Sequence, residues 1–415
     1  MRILLVVSMV PEGDGIGAIP KLLHAQLQGL REQNEITLVG SFGELPGQAD
    51  AAAALMRSDL DAHFVDRRRS PSLLRRWSVR AQLAANWVGR PWPWRAVSAT
   101  AGVQATLDRL GGRRDFDVVA VEETLMSVLR FPGNVPVALT EHEAIQASAS
   151  SWRASRLREL PERMLRVRDW SRWHDFRLAA WQRADLIQVY SESDAAEIGR
   201  RSPDVAQRVR VNPFGLVPPS PADPAKVVPG TVLFAGTFTH LPNRDAALWL
   251  AGEIMPAVWA DYPGARLRLV GSAPPQEVLS LAGPRIEVIA DVPSMAPHLE
   301  AAAVVVAPVR NGGGMRMKVL EAMARQKAVV TTSLGSEGFG GFHAEPPFLV
   351  ADAPKDFAAA VVGLLADDRR RGTLAAEARE FAQAHHSPQA WAARLERVYA
   401  EAIDLRGGQD ESSYR

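Results

Sequence analysis

Gly312-Gly313-Gly314-Met315-Arg316-Met317-Lys318-Val319-Leu320-Glu321 follows an apolar run, Ala301 to Val309, and leads into Val319, Leu320, Met323 and Ala324 at the spacing of one helix face. The order is strand, glycine loop, helix. Glycines let backbone N–H groups approach an anion closely, and a helix N-terminus offers negative charge its free N–H groups and the positive end of its dipole. Arg316 and Lys318 add two cations to the same turn. Lys318 and Glu321, three apart, share a helix face, so the carboxylate can point where the ammonium points. A nucleoside diphosphate would use all of this: two phosphates for the glycines and cations, ribose hydroxyls for the carboxylate. A plain glycine turn with a surface Lys318–Glu321 pair fits the same residues, and the rest of the chain decides between the two.

The 415 residues suggest two domains of about 200 residues each, and 47% hydrophobic residues can fill a core in both. A net charge of +1 argues against a nucleic-acid binder, which carries a strong basic excess. The absence of cysteine excludes disulfides, zinc-thiolate sites and thiol nucleophiles, and fits a reducing cytoplasm. Only five of the 48 basic residues are lysines, which makes a lysine in the glycine loop informative. The start, Met1 to Val10, has too short an apolar part and no small-residue cleavage site for a signal peptide; with Pro11-Glu12-Gly13-Asp14-Gly15 after it, it reads as a buried strand and its loop. No window reaches the roughly 18 apolar residues of a membrane span. A soluble or peripheral cytoplasmic protein is expected.

Buried strands alternate with helical stretches in the first half: Ile3–Val7, a helix from about Ile19 to Gln33, Glu35–Val39, Val118–Val121, Val135–Thr140 and Leu186–Tyr190. This predicts a parallel sheet with helices on both faces. Prolines between Pro213 and Pro224 break the alternation and read as an extended linker. It restarts with Thr231–Ala235, a helix Arg244–Tyr262, Arg266–Val270, Ile286–Ile289, Val304–Ala307, the glycine loop and its helix, and Ala328–Thr332. The expected domains are 1–218 and 219–388, with 389–415 forming a helix to about Leu405, docked back toward the first domain, and a disordered polar tail. Two doubly wound α/β domains imply a cleft between them, and ligands in such sheets bind at the strand C-terminal ends.

Two segments are rich in arginine and tryptophan. Between Asp66 and Arg95, eight arginines stand against one acid, with Trp77, Trp87, Trp92 and Trp94 interleaved; Trp152 to Arg183 repeats the mixture with more acids. They suit a peripheral membrane contact or an anionic acceptor, or else solvated helix faces over packed tryptophans.

The chain resembles glycosyltransferase family 4, whose GT-B enzymes have two Rossmann-like domains. The likeness rests on Gly13-Asp14-Gly15-Ile16-Gly17, on Asp185 with Tyr190-Ser191-Glu192-Ser193-Asp194, on Pro213-Phe214-Gly215, on Phe234-Ala235-Gly236-Thr237, on Leu269-Val270-Gly271-Ser272, on Asp291-Val292, and above all on Gly312–Glu321 with Glu337-Gly338-Phe339. It implies that Gly15, Gly17, Gly236, Thr237, Asn243, Gly271, Val292, Gly312, Gly313, Gly314, Met315 and Glu321 bind a nucleoside-diphosphate sugar, Gly271 and Val292 near the base. Most of the family carries two glutamates with seven residues between them; the second matches Glu321, the first falls at Gly313. The usual Arg and Lys after the first strand of the second domain are replaced by Thr237 to Arg244, so diphosphate neutralisation is expected from Arg316 and Lys318, with Thr237 and Asn243 as hydrogen-bonding groups. His142, in Thr140-Glu141-His142-Glu143, matches a family position beside the reacting sugar.

The resemblance implies retaining transfer of a sugar to a hydroxyl acceptor, with His142, Arg316 and Lys318 as catalytic groups and no cofactor or metal. Asp59-Leu60-Asp61, in a helical and polar context, and Asp115-Phe116-Asp117, before a strand, look like the Asp-x-Asp metal signature but read as surface turns; His385-His386 reads as a helix end. A dinucleotide-dependent oxidoreductase is disfavoured because Gly13, Gly15 and Gly17 lack the G-x-G-x-x-G spacing. A non-catalytic nucleotide-sugar or glycan binder, or a GT-B enzyme coupling a cyclitol, stays open through Gly313.

Overall fold

The computed structural model describes residues 1–13, 17–43, 46–67, 92–111, 115–142, 144 and 160–413, with 160–168 and 408–413 described by their backbone alone. The chain divides into two units: Met1–Ala144 with Ser148–Val217 and Pro388–Arg415, and Pro218–Ser387.

In the first unit β1 (Arg2–Val7), β2 (Glu35–Phe42), β3 (Asp61–Asp66), β4 (Val118–Glu122), β5 (Val137–Thr140), β6 (Leu186–Val189) and β7 (Val209–Val211) lie in the order β3-β2-β1-β4-β5-β6-β7. In the second, β8 (Thr231–Ala235), β9 (Arg266–Gly271), β10 (Ile286–Ala290), β11 (Val304–Ala307), β12 (Ala328–Thr331) and β13 (Leu349–Val350) lie in the order β10-β9-β8-β11-β12-β13. Every paired strand is parallel. Parallel neighbours need crossover helices, which cover both faces; central strands therefore carry unbroken apolar runs such as Ile3 to Val7 and Val304 to Ala307, all buried. In each unit the strand order reverses beside the first strand, between β1 and β4 and between β8 and β11. The crevices outside the strand C-termini at these reversals are where such sheets take ligands.

Three expectations change. Asp61 opens β3 rather than lying in a helical turn, its carboxylate accepting a 2.8 Å hydrogen bond from the Thr37 hydroxyl on β2. The helix expected over Arg244–Tyr262 is Leu241–Trp249, a wider π turn over Leu250–Ile254, then Met255–Asp261. The last helix spans Pro388–Ser413, past Leu405 and into the residues read as a tail. Of the two Arg/Trp-rich segments, 68–91 and 145–159 lie outside the described residues, while Trp181 is buried in the first unit's core. Among the described residues no helix is long and apolar enough to cross a membrane.

The last helix belongs to the first unit. It packs along the helix Ala18–Leu30, where a side chain at Gly29 would lie 2.2 Å from the Pro388 carbonyl, and it buries Trp391, Leu395 and Tyr399. Deleting a buried indole removes its transfer free energy and leaves a cavity, together about 3–5 kcal/mol. Trp391→Ala is expected to lower the first unit's melting temperature by that equivalent in calorimetry; an unchanged transition would show that the helix adds nothing to the core.

Candidate functional site

At the second unit's strand reversal, the loop after β8 meets the loop after β11. Gly236 follows β8, and its backbone N–H donates to the Val270 carbonyl on β9 at 3.0 Å. A Cβ on Gly271 would stand 1.7 Å from the Gly236 carbonyl oxygen, and one on Gly236 would stand 2.8 Å from the Asn243 side chain and 3.1 Å from Lys318 Nζ. Both positions need glycine because backbone and functional side chains occupy that space. Thr237 is held by two contacts: its hydroxyl accepts from Ser272 Oγ at 3.1 Å, and its carbonyl accepts from Asn243 Nδ2 at 3.0 Å. Asn243 is thereby oriented with its carbonyl oxygen toward Lys318.

Lys318 stands in the first turn of the helix Met317–Ala324, whose N-terminus no side chain caps. Its ammonium donates to Asn243 Oδ1 at 2.5 Å and lies 4.4 Å from the centre of the Phe234 ring. Burial of the ammonium, and then the neighbouring Arg316 charge, bring its pKa down to about 7 against the opposing pull of Glu321. Glu321 therefore acts on the same locality one turn on, as the spacing predicts.

Arg316 does something the sequence does not suggest. Its guanidinium donates back to the Gly313 carbonyl at 2.7 Å and the Gly312 carbonyl at 3.0 Å. Among the described residues no peptide is cis, so fixing these two carbonyls turns the Gly313 and Gly314 N–H groups away from the guanidinium. Gly312 and Gly314, at φ +88° and +79°, are left-handed, a conformation that side chains resist. Met315 is buried beneath the loop. The other end of the loop is pinned by residues that sequence reasoning passed over: Arg310 grips Asp245 at 2.9 and 3.2 Å, Asn311 joins the same carboxylate at 3.0 Å, and Arg310 lies 4.5 Å from the Trp249 ring centre. The adjacent Arg310-Asn311 pair, polar residues directly after a buried strand, was the available signal.

Val292 follows β10 beside the loop after β9: Asp291 N–H donates to the Gly271 carbonyl at 3.0 Å, and the Asp291 carboxylate accepts from Ala273 N–H at 2.9 Å. The structure thus places Gly236, Thr237, Asn243, Gly271, Val292, Gly312, Gly313, Gly314, Met315, Arg316, Lys318 and Glu321 on the strand ends, loops and following helices at one end of one sheet.

The remaining candidates belong to the first unit. Gly17 starts the helix Ala18–Leu30 at φ +93°, and Gly15 lies outside the described residues. His142 follows β5, its Nε2 3.4 Å from a Glu122 carboxylate oxygen and its ring centre 5.4 Å from that of Tyr190. Burial opposes its charge, but the Glu122 carboxylate, with Glu123 and Glu141 behind it, raises its pKa on balance. Glu141 is buried and occupied by Thr124 Oγ1 at 2.6 Å and Trp181 Nε1 at 2.9 Å; Glu143 lies outside the described residues.

Residues 229–367 match the family model of glycosyl transferases group 1. That match lies within the second unit. Sucrose-phosphate synthase from Thermosynechococcus elongatus superposes with a TM-score of 0.64 at 18% identity, over 97% of this chain and 99% of that one. HepE of Anabaena, in complex with UDP and glucose, gives 0.60 at 11% identity over 96% and 99%. Identities this low carry the fold, two parallel-sheet Rossmann-like domains of the GT-B class. An uncharacterized 44.6 kDa protein in the cps region of Klebsiella pneumoniae is 30% identical over 131 residues, 29% of this chain, so the alignment takes in only 34% of that relative's length. The domain match and the fold together support a GT-B glycosyltransferase.

A lysine with a folded pKa near 7 against about 10.4 when unfolded binds its proton less well in the folded state. Its burial therefore destabilises fully below about pH 7, and the penalty fades as pH rises toward the unfolded value. Lys318→Met should raise the second unit's melting temperature, by about 2–4 °C for each kcal/mol recovered, with the gain largest near pH 6 and smaller near pH 9. A uniform loss of stability at both would mean that the ammonium is held favourably without a ligand.

Proposed function

We propose that the protein is a retaining, metal-independent glycosyltransferase of family 4 that moves a sugar from a nucleoside-diphosphate donor to a hydroxyl acceptor, acting in the cytoplasm. The observation that carries the reading is Lys318: a partly desolvated ammonium beside an uncapped helix N-terminus and a glycine loop whose carbonyls are tied back. That is an arrangement with cation and N–H donors in place before any anion arrives. The reaction needs little else. The bond between the sugar C1 and the diphosphate oxygen breaks, the acceptor oxygen bonds C1 on the same face, and its proton passes to the departing phosphate oxygen. Charge grows on the diphosphate, and preorganised donors in a dry pocket stabilise it where water would have to reorient.

In this reading Lys318 carries the diphosphate charge while Arg316 keeps the loop's N–H groups available to it. Thr237 and Asn243 add hydrogen bonds, Glu321 takes donor hydroxyls, and Gly271 and Val292 border the base. His142 hydrogen-bonds a hydroxyl of the acceptor or of the transferred sugar. UDP is the first nucleotide to try, since HepE was solved with it. Gly313 favours a second reading, because the family's first glutamate is missing there: a nucleotide-sugar binder without turnover, or an enzyme that couples a cyclitol.

Thermal-shift measurements with UDP, GDP, dTDP and ADP should show a selective rise with one base, and a panel of the corresponding sugar nucleotides should show turnover. Lys318→Ala should cut that turnover by about 10²–10³, the usual effect of removing one donor to a developing anion, with the fold intact. Binding without turnover across the panel would favour the second reading, and wild-type turnover in Lys318→Ala would refute the mechanism.

A further inference from the structure

The carboxylate facing His142 is the end of a buried chain of hydrogen bonds. Glu122 ends β4, and its side chain is 2% exposed. One of its oxygens accepts from Gln26 Nε2 at 2.6 Å and from Thr140 Oγ1 at 3.0 Å, while the other faces His142. The Thr140 hydroxyl in turn accepts from Gln188 Nε2 at 2.5 Å, Gln188 Oε1 from Asn212 Nδ2 at 3.0 Å, and Asn212 Oδ1 from Arg394 Nε at 3.0 Å. Arg394 also donates to the Pro213 carbonyl at 2.7 Å, and Gln26 to the Tyr399 hydroxyl at 3.2 Å.

Every link donates in the same sense, from the Arg394 guanidinium on the last helix to the Glu122 carboxylate. Linked dipoles pointing one way polarise one another and favour negative charge at the accepting end. Each amide and hydroxyl in the chain has its orientation fixed by the partner before it. The carboxylate can neither rotate nor turn to solvent, and its free oxygen has one group in front of it. Around the imidazole, Glu123 and Glu141 add negative charge, Glu141 being paired with the buried Arg177 at 3.4 Å, and Tyr190, buried and edge-on to Phe214 at 5.1 Å and Trp391 at 6.4 Å, lies beside the ring. Among the described residues no hydrogen bond engages His142 Nδ1, which is left as the nitrogen for a ligand.

We propose that Glu122 is a positioning residue: fixed by Gln26, Thr140 and the chain back to Arg394, it holds His142 as an imidazolium whose Nδ1–H donates a hydrogen bond to a substrate hydroxyl oxygen. His142 then acts as a cationic donor and not as a base, in keeping with a reaction whose proton leaves on the phosphate. This rests on the reading that His142 serves sugar transfer, but the protonation state can be measured without any substrate.

The test is a ¹⁵N NMR titration of His142 in the full chain, for the wild type, Glu122→Gln, Glu122→Asp and Arg394→Gln. The wild-type imidazole should titrate above the ordinary value of about 6.5, and Glu122→Gln should bring it to 6.5 or below. Glu122→Asp should restore most of the difference, and Arg394→Gln should give a smaller drop without touching the pair itself. Where turnover is measured, its alkaline limb should follow the same order, since activity is lost as His142 gives up its proton. A titration unmoved by both Glu122→Gln and Arg394→Gln overturns the proposal, as does turnover that rises when His142 is deprotonated. A shifted titration in a protein that turns over no sugar nucleotide upholds the coupling and refutes only the transferase reading.

Discussion

An ammonium held partly out of water at the strand reversal of the second unit is the feature around which the rest of that site is built. Among the described residues Lys318 has one hydrogen-bond acceptor, Asn243 Oδ1, and one ring face, Phe234, where bulk water would offer it a full shell. Such a charge is costly until an anion joins it, which is what lowers its proton affinity. The surrounding choices follow from keeping that space clear: Gly236 and Gly271 carry no side chain where one would strike Asn243, Lys318 or the crossing backbone. Asn243 is itself pinned by the Thr237 carbonyl, so the cation is aimed and not merely present.

The glycine loop shows a division of labour between its two cations. Arg316, always charged and with a fork of donors, is the side chain suited to gripping two carbonyls at once, whereas Lys318 is a point charge whose proton affinity responds to its surroundings. The loop's other anchor, Arg310 on Asp245 and over Trp249, ties it to the helix Leu241–Trp249, which also carries Asn243. The glycines give the loop its conformation, and side chains from both ends hold it there. In the first unit the same sheet topology has opposite electrostatics: Glu122, Glu123 and Glu141 gather at the C-terminal ends of β4 and β5, and they raise the pKa of His142 against its burial.

The central strands were legible because burial on both faces demands continuous aliphatic runs, and Thr231–Ala235 and Val304–Ala307 stand where the sequence places them. The strands that were missed are edges. β3 is half-buried along its length and begins and ends in aspartate, β7 has three residues and β13 has two, so none shows a long apolar run. The end of the last helix is not legible in the sequence because its final residues are polar and include Gly407-Gly408, whose poor helix propensity is overcome by propagation from the packed turns before them. At the site, local chemistry was readable, since the Lys318–Glu321 spacing and the glycines speak for themselves. The target of Arg316 was not, because whether a guanidinium faces outward or folds back on its own loop depends on φ at Gly312 and Gly314. The Arg394 to Glu122 chain joins five positions far apart in sequence, and only the fold brings them together.

The most direct measurement is a crystal structure of the protein grown with UDP or whichever nucleoside diphosphate raises its melting temperature most. The account predicts the β-phosphate within hydrogen-bond reach of the Gly313 and Gly314 N–H groups and of Lys318 Nζ, with the Arg316 guanidinium still on the Gly312 and Gly313 carbonyls. A diphosphate bound elsewhere, with Lys318 still on Asn243 and the loop empty, would contradict it.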